Sequence, residues 1–150
     1  MKLILTCSCF LLLTGVAIAS AAAAEVSERP SAGPKITSVS KVTTAQHQTI
    51  TIKGTGFGTF VPYTGDSVFT SLKDLTKPRQ WEAGYQPDNN PVTLIVNKWT
   101  NTEIVLGGFA GAWGKKNYKL EKGDKELIRI WNWQTEAGPA SATVTIVAAP

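Results

Sequence analysis

Two neighbouring runs decide the fold: Pro34-Lys35-Ile36-Thr37-Ser38-Val39-Ser40, and Gln48-Thr49-Ile50-Thr51-Ile52-Lys53-Gly54-Thr55-Gly56-Phe57-Gly58. In the second, Ile50 and Ile52 point one way and Thr49, Thr51 and Lys53 the other. Period-two alternation of β-branched residues predicts a half-buried strand. Ile36 and Val39 supply the apolar contacts of a strand before it. Gly54, Gly56 and Gly58 bracket Thr55 and Phe57, so the backbone can turn through positive φ while Phe57 plugs one end of the core. A dinucleotide-binding loop has a different glycine spacing and opens a helix. Here Thr59-Phe60-Val61-Pro62 follows with no amphipathic period, and a structural corner is the better reading.

Further strands are expected around Val68 to Leu72, from Val92 to Trp99 with Val92, Leu94 and Val96 alternating, and from Glu103 to Leu106 with Ile104 and Leu106 inward. Leu127 to Trp133 and Ala142 to Val147 form a closing pair, joined through Thr135-Glu136-Ala137-Gly138-Pro139. Lys77 to Pro91 reads as one long loop of turn-forming residues, and Gly107 to Gly114 as a glycine-rich loop carrying Phe109 and Trp113. Short strands at this spacing, with no helical period, predict an all-β sandwich.

Outside these strands, Met1-Lys2 and the apolar run Leu3 to Ala19, ending in small residues, have the form of a secretory signal peptide over 1–24. Cleavage is expected at Ala22-Ala23-Ala24 before Glu25, or alternatively after Ala19. Residues 25–33 then form a flexible tether and 34–150 the folded domain. Cys7 and Cys9 both lie in the apolar run, so the mature chain of about 125 residues holds no disulfide and is long enough to build its own core. The exported product is expected to be secreted, periplasmic or extracellular, with no stable membrane insertion. Its net charge of +4 before cleavage is spread along the chain, and the Lys115–Lys125 cluster is broken by Glu121 and Asp124. A nucleic-acid footprint is denser and one-sided, so no nucleic acid is expected as a partner.

Catalysis and metal binding find little support. His47 is the single histidine and sits in a connecting spacer. With no mature cysteine, neither zinc nor Cys-His chemistry has its ligands. Ser38 or Ser40 near His47 lacks an oxyanion-type turn. The carboxylates Asp66, Asp74, Glu82, Asp88, Glu103 and Asp124 fall mostly in turns, and no spacing singles out a glycosidase pair. Asp88-Asn89-Asn90 offers hard oxygens for calcium without the order of an EF-hand loop, and is read as an Asx turn. A non-enzyme with no cofactor and no metal is the expectation.

The aromatic residues carry more information. In Leu127-Ile128-Arg129-Ile130-Trp131-Asn132-Trp133, residues two apart share a face. With Ile128 and Ile130 in the core, Arg129, Trp131 and Trp133 point outward. Two indoles and an arginine on a sheet make a flat surface suited to sugar rings or to a protein partner. Trp81, Tyr85, Trp113 and Tyr118 fall in loops where they can extend it. The alternative is that Trp131 packs inside and Trp133 anchors the last turn.

The order Pro34-x-Ile36-x-x-Val39, then Ile50-x-Ile52-x-Gly54-x-Gly56-Phe57-Gly58, resembles the opening of an IPT/TIG domain. Trp99-Thr100-Asn101-Thr102-Glu103-Ile104 is similar to that family's W-[ST]-[DN]-T-x-I turn, and Gly138-Pro139-Ala140-Ser141 with Val144-x-Ile146 to its final hairpin. The likeness spans the whole domain. It departs in the Lys41–His47 spacer, where the family carries a proline and a glycine, and in the long tryptophan-bearing loop. The resemblance implies an early-set immunoglobulin-like β-sandwich acting as a binding or spacer module, with no shared catalytic residues. The expected function is therefore binding of an extracellular polysaccharide or protein through the aromatic surface. A structural or assembly role at the cell surface, and a small carbohydrate-active hydrolase, are the alternatives.

Overall fold

A computed structural model describes residues 33–59, 69–77, 81–84 and 91–150. The segment expected to be a signal peptide, most of the expected tether, Asp66, Val68, Tyr85 and Asp88-Asn89-Asn90 lie outside the described residues. Among the described residues the chain is all-β, with no helix. Eight strands run β1 Lys35–Val39, β2 His47–Thr55, β3 Thr70–Asp74, β4 Glu82–Gly84, β5 Val92–Trp99, β6 Glu103–Gly111, β7 Lys125–Asn132 and β8 Ala137–Thr145.

They form one sheet in the order β1-β2-β6-β5-β4-β3-β7-β8. Every pairing is antiparallel except β4 with β5, which is parallel and consists of the single pair Ala83↔Val92. Two four-stranded halves thus meet at one residue pair. The sheet curls far enough that the outer strands β1 and β8 come into contact, helped by a parallel bridge between Thr43 and Val147.

The core follows from alternation. Ile50 and Ile52 of β2, Ile104 and Leu106 of β6, and Ile128 and Ile130 of β7 are fully buried, with Leu72, Val92 and Phe109 between them. Phe57 is fully buried too, as expected of the residue between the corner glycines. Gly56 (φ 74°) and Gly58 (φ 73°) take the left-handed conformation that the corner requires.

Three strand readings change. The Lys77–Pro91 stretch is not all loop, because β4 pairs with β3 at Ser71↔Gly84, Leu72↔Ala83 and Lys73↔Glu82. β6 does not end at Leu106 but runs through Gly107 and Gly108 to Gly111. Gly108 (φ 103°) lies so close to Gln46 that a Cβ there would sit 2.1 Å from its carbonyl oxygen, so glycine keeps the strand in the sheet where any side chain would expel it. β8 starts at Ala137 rather than Ala142, carrying a cis Gly138–Pro139 bond on an outer strand, where proline's missing N–H costs no ladder bond.

Candidate functional site

Along β7, Glu126, Ile128, Ile130 and Asn132 face the core, and Lys125, Leu127, Arg129 and Trp131 face outward. The register carries this outer face across three strands. Arg129 lies between Ser71 and Ser141, Leu127 between Lys73 and Thr143, and Lys125 beside Thr145.

Arg129 is held on three sides. Its guanidinium donates to Glu82 Oε1, its Nε donates to Ser71 Oγ at 3.2 Å, and its Cζ sits 5.2 Å from the centre of the Trp131 ring. The carboxylate fixes the planar guanidinium and the indole face stacks against it, so arginine and tryptophan form one half-buried, pre-set unit. Beside them the β7–β8 register shifts between Ile130 and Asn132. Gly138 (φ 129°) makes room there, since a Cβ would come 3.2 Å from Trp131 Cδ1. An irregularity of this kind re-aims the side chain it interrupts.

Trp133 follows in the turn after β7 and is 40% exposed. Its ring lies 5.9 Å from that of Phe69. Asn132 sets that turn: its Oδ1 accepts from the N–H of Gln134 at 3.0 Å and of Thr135 at 3.3 Å, while its Nδ2 donates to Gly56 O at 2.8 Å. Gln134 Nε2 then donates to Thr59 O at 2.8 Å. The glycine corner is thus the seat of the tryptophan-bearing turn. Gly58 takes a positive φ of 73° and lies against this turn, where a Cβ would come 1.9 Å from Gln134 Oε1 and displace that side chain.

Trp81 and Trp113 do not extend this face. Trp81 is only 5% exposed and meets Phe109, Trp113 and Tyr118 edge-on at ring separations of 6.3, 5.8 and 6.4 Å, while Trp113 stacks on Phe109 at 4.1 Å. Glu82 next to it points outward, so alternation turns Trp81 into the core. These aromatics plug the interior. His47 is exposed at the start of β2. Trp99 is half-buried and donates from Nε1 to Phe57 O at 3.1 Å, anchoring the corner.

The other end of β3 and β7 holds a group that spacing did not reveal. Asp74 and Glu126 are register partners, both fully buried, and Asp124 is close to buried. Asp74 Oδ1 accepts from the N–H groups of Thr76 and Lys77 at 2.7 and 3.2 Å. Lys77 donates to Asp124 Oδ2, which also accepts from Glu121 N at 2.7 Å. Neither oxygen of Glu126 has a hydrogen-bond partner. Burial, reinforced by the charges of Asp74 and Asp124, pushes the Glu126 carboxyl up to about 9. Burial alone would lower the Lys77 pKa, but its bond to Asp124 and the surrounding carboxylates hold it above the ordinary lysine value. Only the pairing register would have shown this cluster, because Asp74 and Glu126 are remote in sequence. Among the described residues, no three metal-ligating side chains group as a metal site.

Comparison of the chain with protein-family models, with curated proteins and with solved structures returns no match.

Proposed function

We propose that this chain is an exported, non-catalytic module of immunoglobulin-like, IPT/TIG type that binds an extracellular polysaccharide on the outer face of β7. Support for the sandwich comes from strand order. One half, β1-β2-β6-β5, follows the A-B-E-D order of immunoglobulin constant-type domains, and β3-β7-β8 the C-F-G order with β4 added at its edge. The single-pair join is what two packed sheets touching at one corner would leave. Support for export is the charged, apolar, small-residue succession of residues 1–24.

The observation that carries the binding reading is the Arg129–Trp131 unit, held by Glu82 and Ser71 beside the exposed Trp133. Indole faces stack on the apolar C–H faces of sugar rings, and a fixed guanidinium and carboxylate hydrogen-bond their hydroxyls. A protein partner fits less well. Leu75, Trp133 and Val147 are the exposed large hydrophobics among the described residues, three residues on separate stretches of chain where an interface core needs a contiguous apolar patch.

The test is the double variant Trp131→Ala, Trp133→Ala in a glycan-binding screen. Binding by the native protein, and its loss in a variant that keeps its circular-dichroism spectrum and melting temperature, supports the reading. A variant that binds as well as the native protein overturns it. Should the double variant unfold, Trp133→Ala alone is decisive, because that side chain is the more exposed of the two.

A further inference from the structure

The outer face of β3, β4, β7 and β8 carries more than the aromatic unit. Its outward residues are Lys73 on β3, Glu82 on β4, Lys125, Leu127, Arg129 and Trp131 on β7, and Ser141, Thr143 and Thr145 on β8, with Ser71 buried beneath Arg129. Three cations therefore stand against one carboxylate. That carboxylate is committed: Glu82 bonds the Arg129 guanidinium. Lys73 lies opposite Leu127 on one side and Glu82 on the other, and Lys125 precedes Leu127 by two on the same strand face. The two lysines are thus diagonal neighbours, with side chains about 7–8 Å apart at their roots. Lys73 is diagonal in the same way to Arg129, and Lys125 and Arg129 lie about 13 Å apart along the strand. No ion pair engages Lys73 or Lys125 among the described residues.

The other strongly charged surface is different. In the Lys115–Lys125 segment Glu121 and Asp124 stand among the later lysines, and Lys119 pairs with Glu121 at 3.2 Å. The β3–β7 face combines lysines that form no ion pair among the described residues, aromatic rings at one end, and a row of serine and threonine hydroxyls along its edge.

Building on the polysaccharide reading above, we infer that the ligand is an anionic polysaccharide. It would lie along β7 with a sugar ring on Trp131 or Trp133 and its acidic groups at Lys73 and Lys125. The aromatic end supplies stacking common to all sugars, and the lysine end selects for negative charge. A neutral glycan would gain only hydrogen bonds from the two lysines, without the charge attraction an acidic one adds.

The experiment is affinity electrophoresis of the full mature chain through gels containing dextran, dextran sulfate or polygalacturonate. Two charge-matched variants are compared: Lys73→Gln with Lys125→Gln on the face, and Lys116→Gln with Lys122→Gln on the loop. Retardation by polygalacturonate and dextran sulfate but not dextran is expected. The face variant should lose at least tenfold in affinity and the loop variant less than about twofold. Equal losses in the two variants would mean general attraction of a basic protein to any polyanion, and would overturn the inference. Equal retardation by neutral dextran, abolished by Trp131→Ala with Trp133→Ala, would overturn the charge selectivity and leave the polysaccharide reading standing. No retardation by any polymer, with folded protein, would end both.

Discussion

Glu126 is the residue at which burial and chemistry disagree most. Its carboxyl has no hydrogen-bond partner, and its folded pKa of about 9 lies far above the ordinary glutamate value of 4.5. Between those values the unfolded chain has released a proton that the native chain keeps. The stability contributed by the neutral acid is therefore complete below about pH 4.5 and is lost as pH rises through about 9, at a slope of up to about 1.4 kcal/mol per pH unit. Melting temperature should fall steadily from pH 5 to pH 9. The Glu126→Gln variant, which fixes the neutral form, should flatten that profile and melt higher than the native protein at pH 8. An unchanged profile would place the titration elsewhere. Trp99 makes a smaller contribution of a different kind. Trp99→Phe keeps the ring packing and removes the donor to Phe57 O, a loss of about 1 kcal/mol by denaturant titration.

At the scale of elements, the glycine corner and the β7–β8 turn are one device. Gly58 lies in the left-handed region and against Gln134 and Asn132, so Gly58→Ala strains the backbone and pushes the turn off its seat. The expected cost is about 1–3 kcal/mol. Displacement of Trp133 should also show as a shift in tryptophan emission in the folded variant. Much of this was legible in sequence. The β2 and β7 alternation, the buried Phe57 and the outward Arg129 follow from period-two patterning alone, because each such strand has one face in the core. β4 was not legible, since its three residues are strand only by virtue of β3 beside them. Nor was the second half of β6, where glycines signal a loop in isolation but Gly108 is required by Gln46 lying against it. The separation of Trp81 from Trp131 likewise depends on which face of β4 meets the core. The Asp74–Glu126 pair depends on a register no local pattern encodes.

At the scale of the molecule, charge and topology are distributed unevenly. One outer face holds Lys73, Lys125 and Arg129 beside aromatic rings, while three acids, Asp74, Asp124 and Glu126, are buried. Raising ionic strength should therefore weaken ligand binding while leaving the buried cluster's effect on stability nearly unchanged, a contrast that titrations in low and high salt would show. The join between β4 and β5 has a consequence of its own. With a single parallel pair, Ala83↔Val92, holding the two halves along that side, β4 has one continuous partner, β3. Opening there breaks few hydrogen bonds, so the amides of Glu82 to Gly84 should exchange with deuterium well before those of β2 or β7. Glu82 rides on that same short strand. The clamp on Arg129 is thus carried by a short strand with a single continuous partner, and the face proposed to bind can loosen its grip without the core unfolding.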